Sequence, residues 1–179
     1  MKKIVLPLQQ DSVLEELHSG DEVLVSGSIL CGRDQVHIRF VNLIKEGKEL
    51  PVDLKNQGIY YVGPTPAPAG KVIGSAGPTT SSRMDKLTIP LLEKGLKIMI
   101  GKGNRACYIL EACKKFKAVY LAAIGGAGAY LSKCIKKVEE LAYSELGTES
   151  LKRFHIEDFP TVVAFDVYGN TIYSYTQST

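Results

Sequence analysis

Along the chain, short apolar runs rich in β-branched residues alternate with stretches whose apolar positions recur every three or four residues. The first kind suits strands and the second suits helices with one buried face. Asp21 to Leu30 (DEVLVSGSIL) reads as a strand, and Arg33 to Lys45 follows with Val36, Phe40, Val41 and Ile44 at helical spacing. Ile59-Tyr60-Tyr61-Val62 reads as a strand, the proline-rich Gly63 to Gly70 as an extended loop, and Lys71 to Ala76 as another strand ended by Gly77-Pro78. Met84 to Lys94 has a helical pattern in which Pro90 predicts a kink or two short pieces. Lys97 to Ile100 is again strand-like, and Gly101-Lys102-Gly103-Asn104 leads into a helix ending near Phe116, with Asn104 as its candidate N-cap. Ala118 to Ile124 reads as a strand, and after Gly125-Gly126-Ala127-Gly128 a helix is expected to about Leu141.

Strand, glycine turn and helix thus recur three times, the pattern of an α/β domain. The tail changes character. Gly147 to His155 reads as a short helix or loop, and Phe159 to Ala164 with Thr171 to Tyr175 flank Tyr168-Gly169-Asn170 as a β-hairpin. A chain of 179 residues falls in the range of one domain, here 1–179, whose core closes without disulfides or a structural metal. The expected architecture is α/β, a mixed central sheet with flanking helices and a C-terminal β-hairpin.

Composition narrows the function classes. With 45% apolar and 23% charged residues the chain has no compositional mark of disorder. A net charge of +3, spread over scattered lysines, gives no nucleic-acid footprint. The first residues, MKKIVLPL, are cut by Pro7 and the polar stretch from Gln9 before a signal segment could form, and no span has the length of a transmembrane helix. The expectation is a cytoplasmic protein without membrane contact. Cys31, Cys107, Cys113 and Cys134 show no CxxC or other metal-ligand spacing, and the three histidines are dispersed. Buried or idle thiols in a reducing compartment, and no metal site made by this chain alone, follow from that.

The turns carry the candidate chemistry. Gly77-Pro78-Thr79-Thr80-Ser81-Ser82-Arg83 places four consecutive hydroxyls and an arginine at the mouth of a helix. Backbone N–H groups, hydroxyl donors and a guanidinium all favour an oxyanion, although a Ser or Thr helix cap accounts for the same residues. Gly32-Arg33-Asp34 is a second strand-to-helix turn with a cation, where Asp34 as a cap and Arg33 as its surface ion partner is the competing reading. Gly101-Lys102-Gly103-Asn104 matches neither a Walker loop nor a dinucleotide fingerprint and reads equally as an exposed turn. Gly125 to Gly128 also lacks the fingerprint spacing and suits close packing. Taken together, Arg33, Arg83 and Lys102 each follow a strand, and ligands of open α/β sheets collect at strand C-termini. Three converging cations would suit a small dicarboxylate.

The segments SGSILCGRDQVH, GPTTSSRMD, MIGKGN, LAAIGGAGAYLSKCI and HIEDFPTVVAFDVYGN, in that order, resemble the β component of class I, iron–sulfur-dependent hydro-lyases, the fumarate hydratase and L-tartrate dehydratase group. The resemblance covers nearly the whole chain. It implies a swivelling β/β/α fold and pairing with an α component that carries a [4Fe-4S] cluster, this chain binding none. It implies that Arg33 and Arg83 hold substrate carboxylates with Lys102, and that Thr79 falls on the threonine proposed in the family as catalytic base. Ser82 stands where many relatives have glycine.

The implied reaction is the reversible hydration that interconverts fumarate and (S)-malate, by a β subunit active only with its cluster-bearing α subunit, the two forming a heterotetramer. A β subunit of L-tartrate dehydratase and a stand-alone dicarboxylate-binding domain without catalysis are the alternatives. Thr79 as base needs a cationic neighbour or a hydrogen-bond partner to activate its hydroxyl; otherwise it orients the substrate.

Overall fold

The computed structural model describes residues 1–124 and 126–174. Period-two alternation feeds two cores at once. In β2 (Glu22–Cys31), Val23, Val25, Ile29 and Cys31 enter one core while Leu30 enters the other. The same division runs through β3 (Gly58–Tyr60), β4 (Ile98–Gly101) and β5 (Val119–Ala122). Tyr60, Ile98, Ile100, Val119 and Leu121 join the first core; Ile59, Met99 and Tyr120 join the second. These strands are buried on both faces, as parallel strands between packed layers must be.

The second core lies under three helices, α1 (Asp34–Lys45), α2 (Asp85–Glu93) and α3 (Cys107–Phe116). They supply Val36 and Phe40, Leu91 and Leu92, and Ile109 and Cys113. β2, β3, β4 and β5 run parallel, and the long β7 (Leu151–Phe165) returns antiparallel to pair with both β5 and β2. The ladders therefore close a ring from β2 through β3, β4, β5 and β7 back to β2. β1 (Lys2–Leu6) lies parallel beside β2, and β6 (Ile135–Ala142) antiparallel beside β7. A mixed sheet flanked by helices is the expected α/β class, and the ring brings the C-terminal ends of β2, β3 and β4 together.

Five expectations change. The helix drawn to Leu141 is a single turn, α4 (Gly128–Leu131), with a 3-10 turn at Ser132–Cys134, and then β6. Bulges at Ile135/Lys137 and Glu140/Ala142 break the period of two, so Ile135, Val138 and Leu141 recur every three residues and imitate a helical stripe. Lys71 to Ala76 forms no strand. It is held locally, with Thr65 N donating to Ser75 O at 2.9 Å and Ser75 N to Thr65 Oγ1 at 2.7 Å.

Pro90 does not divide α2, which continues to Glu93; the break comes earlier, where a 3-10 turn at Ser81–Met84 passes into the helix. Among the described residues the terminal hairpin shrinks to one bridge, Phe165 to Thr171, around a turn organised by Asp166, which accepts from Tyr168 N and Asn170 N, each at 2.9 Å. Tyr175 lies outside the described residues. Of Gly147 to His155, only the start is helical, a 3-10 segment at Ser144–Glu149, and β7 takes the rest. Among the described residues no helix is long and apolar enough to cross a membrane.

Candidate functional site

Three loops meet where β2, β3 and β4 end. Gly32 N donates to Tyr60 O at 3.1 Å, tying the first turn to β3. Past β3 the chain continues extended, Tyr61 N donating to Ile100 O at 2.9 Å and Tyr61 O accepting from Thr79 N at 2.7 Å. The hydroxyl-rich loop then runs beside the Lys102 turn as a one-bridge ladder. Lys102 N donates to Thr79 O at 3.3 Å, and Ser81 N donates to Lys102 O at 2.9 Å. Thr79 and Lys102 are thereby neighbours through the backbone. Among the described residues neither Thr79 Oγ1 nor Lys102 Nζ has a hydrogen-bond partner.

Side chains fasten the same two loops from beneath. Tyr120 Oη donates to Gly103 O at 2.7 Å, which leaves the Ser81 hydroxyl as donor to Tyr120 Oη at 2.9 Å. Burial holds the Tyr120 phenol well above its ordinary range, so it stays protonated. Gly101 permits this approach, since a Cβ there would sit 2.0 Å from Ser81 Oγ. Gly128 does the same on the other side of the loop, where a Cβ would lie 2.3 Å from Ser75 Oγ and 2.9 Å from Gly77 N. Of the described glycines of the Gly125 to Gly128 turn, Gly128 thus serves close packing, whereas Gly126 has open space around it and a positive φ of 77°.

Arg33 and Arg83 converge on one carboxylate. Asp34 Oδ2 accepts from Arg33 Nε at 3.0 Å and Asp34 Oδ1 from Arg83 Nε at 3.1 Å. Burial pushes the Asp34 carboxyl up, but the hydrogen bond from Arg33, its own backbone N–H and the charges of Arg83 and Arg33 outweigh that and hold it below the usual range. Glu149 approaches Arg33 Nε at 2.8 Å as a second anion. Arg83 is half exposed and Arg33 about a quarter exposed (side chains 51% and 23%), so both guanidinium groups remain within reach of a solute.

Two residues that sequence reasoning passed over complete the frame. Arg105, with no side-chain exposure, donates from Nε to Asp85 Oδ1 at 2.7 Å, from Nη1 to Tyr61 Oη at 3.2 Å and from Nη2 to Thr88 Oγ1 at 2.7 Å. Asp85 Oδ2 accepts from Ala106 N at 2.8 Å and so serves the start of α3 from another helix, the role expected of Asn104. Asn104 instead accepts from Arg105 N at 2.7 Å. The signal was present, since Asp85 closes the GPTTSSRMD segment and Arg105 directly follows GKGN. His37, also buried, places Nδ1 2.9 Å from Arg33 O, while its Nε2 has no partner among the described residues. Burial holds its pKa at about 4.

The chain's thiols do not fit an iron–sulfur cluster, which needs several thiolates around one point. Cys31 and Cys113 are buried in opposite cores, and burial pushes both up, Cys113 to about 12. Cys107 is exposed and Cys134 half-buried. Among the described residues no three His, Cys, Asp or Glu side chains gather as a metal site.

Comparison with known proteins gives one family. The model described as Fumarase C-terminus matches residues 1–176. A protein named "Fumarate hydratase class I, anaerobic" from Escherichia coli (strain K12) is 42% identical over 176 residues, which are 97% of this chain and 31% of that protein. "Fumarate hydratase 2" from Leishmania major is 38% identical over 180 residues, 97% of this chain and 32% of its own length. "Putative L(+)-tartrate dehydratase subunit beta" from Methanocaldococcus jannaschii is 33% identical over 166 residues, 89% of this chain and 85% of that subunit. The chain therefore spans about a third of the length of the fumarate hydratases it matches and most of the length of the tartrate dehydratase subunit.

Proposed function

Because the chain belongs to the Fumarase C-terminus family, we propose that it is the substrate-carboxylate-binding part of a hydro-lyase that interconverts (S)-malate and fumarate. A second polypeptide, an α subunit carrying a [4Fe-4S] cluster, completes the enzyme on this reading, and the pair works in the cytoplasm. The observation that carries it is the convergence of Arg33 and Arg83 on a single carboxylate, that of Asp34.

Each residue's part follows from the chemistry of the dicarboxylate. Removing a proton from the carbon next to a carboxylate gathers negative charge on that carboxylate, and cations already in place stabilise the charge as it develops. Arg33 and Arg83 bind and orient the substrate carboxylates through their forked donors, and Lys102, on the adjoining turn, adds a compact charge. As the base at that carbon, the Thr79 hydroxyl would need a cationic neighbour to activate it; its loop is tied to the Lys102 turn by Lys102 N donating to Thr79 O at 3.3 Å. A hydroxyl that only orients the substrate is the alternative for this residue. No thiol set here fits a cluster, so the chain's contribution is confined to binding, orientation and that proton.

L-tartrate as the substrate is a second reading, supported by the match along 85% of the tartrate dehydratase subunit. Its two carboxylates would meet the same arginines. Co-expression with a candidate cluster-bearing chain, followed by assays on (S)-malate, fumarate and L-tartrate, tests both. Turnover of malate and fumarate supports the first reading, and turnover of tartrate alone supports the second. An assembled pair inactive on all three would overturn the hydro-lyase reading.

A further inference from the structure

We infer that Asp34 is the positioning residue of the carboxylate clamp, holding the two guanidinium groups at a fixed separation with their terminal donors turned to the substrate. This rests on the functional reading above and adds to it a residue that does not touch the substrate. Arg33 and Arg83 lie fifty positions apart in sequence, on turns that follow different strands, and their like charges repel. The one side chain that hydrogen bonds to both is Asp34, one oxygen to each Nε. Each arginine gives Asp34 its Nε, and among the described residues the Nη atoms of both have no hydrogen-bond partner. With Nε given to Asp34, the two Nη groups of each arginine remain available to grip a carboxylate end-on.

A helix cap does not account for Asp34. It is the first residue of α1, and no side chain caps that helix; Asp34 turns toward the arginines instead. Asp34 is also more buried than the arginine it holds, its side chain 22% exposed against 51% for Arg83. The less mobile group is thus the anion, and the half-exposed Arg83 takes its direction from it. With Asp34 removed, Arg83 would retain its charge near the site but lose its orientation, and the substrate would have to supply the ordering.

The test compares Asp34→Asn with wild type in two measurements. Asn keeps the size and the helix-start preference but removes the charge and one of the two acceptors. In the reconstituted complex, KM for the dicarboxylate should rise about ten- to hundred-fold, the loss expected for hydrogen bonds to charged groups, while the thermal midpoint stays within a few degrees. Combining it with Arg83→Ala should add far less than the sum of the two single changes. In the isolated, ¹⁵N-labelled chain, the Arg83 Nε–Hε resonance should be protected from solvent exchange in wild type and lose that protection in Asp34→Asn.

Unchanged KM with additive effects, or Hε protection that survives the substitution, would overturn the assignment. A wild-type complex with no hydro-lyase activity would instead count against the functional reading, and the resonance measurement then decides Asp34's part alone.

Discussion

Arg105 Nε and Asp85 Oδ1 meet at 2.7 Å inside the protein, and this single pair joins the turn that carries Lys102 to the helix that follows Arg83. Neither residue reaches solvent to any extent. Arg105 adds bonds to Tyr61 and Thr88, and Asp85 accepts from the backbone of α3, so both charges are well hydrogen bonded where they lie. The Lys102 turn and the hydroxyl-rich loop are therefore braced from below by a buried ion pair rather than by their own solvent-exposed side chains.

Asp85→Asn should destabilise the chain by about 3–5 kcal/mol, because it leaves the Arg105 guanidinium buried without its counter-charge. Urea unfolding of the two proteins measures this. Thr88→Val, which removes one partner of Arg105 and keeps the volume, should cost less, about 1.5–3 kcal/mol. Equal stability of Asp85→Asn and wild type would mean that the pair is not the brace described here.

Gly101→Ala places a methyl group 2.0 Å from Ser81 Oγ and 2.8 Å from Tyr61 Cδ2. The loop must move off the Lys102 turn, at a cost of about 1–3 kcal/mol for overpacking. Adding Ser81→Ala removes the nearest atom, so the double variant should recover part of the loss in thermal midpoint. A double variant no better than Gly101→Ala would place the conflict elsewhere.

His37 makes stability fall on the acid side. Its folded value of about 4 lies below the ordinary 6.5, so the unfolded chain binds the extra proton first as pH drops. Stability attributable to His37 is intact above pH 6.5 and is lost between 6.5 and 4, reaching about 3 kcal/mol. Asp34 and Asp166, held below 3.8, lose their contributions only at lower pH. Urea unfolding from pH 7 to 4.5 should show a shallower decline for His37→Gln than for wild type; parallel declines would contradict the buried neutral imidazole.

Glu149 competes with an incoming carboxylate for Arg33, which it approaches at 2.8 Å. Glu149→Gln should lower KM for the dicarboxylate about two- to five-fold in the reconstituted complex, the range of a partly exposed ion pair. A raised KM would make Glu149 a supporting residue instead of a competitor.

Much of the fold was legible where burial is two-sided. Strands such as β2 and β5 send apolar residues into both cores, and the glycine turns after them mark where helices begin. β6 was hidden because its bulges space Ile135, Val138 and Leu141 like a helix, and only the free edge of β7 decides in favour of a strand. Lys71 to Ala76 has the composition of a strand but no ladder to join; its backbone bonds instead to Pro68, Thr65 and Gly128. β1 went unread because its apolar run was weighed only as a targeting segment.

The site divides in the same way. The cations Arg33 and Lys102 were visible because each closely follows a strand, β2 and β4, whereas Arg83 sits in the 3-10 turn at Ser81–Met84 after a long loop and was reached through a strand at Lys71 to Ala76 that does not form. Asp34 was read as a cap because its neighbour in sequence is a helix, whereas its partner Arg83 is distant in sequence. Arg105 was passed over for a related reason: a lone arginine after a glycine turn resembles a surface residue until α2 is laid over it with Asp85 facing in.

The central claim is that Arg33 and Arg83 form the clamp for a substrate carboxylate. Its most direct test is kcat/KM for (S)-malate dehydration by the reconstituted complex carrying Arg33→Lys or Arg83→Lys. Lysine keeps the charge but has no fork, so each substitution should lower kcat/KM by about ten- to hundred-fold. Both variants turning over malate at the wild-type kcat/KM would contradict the clamp.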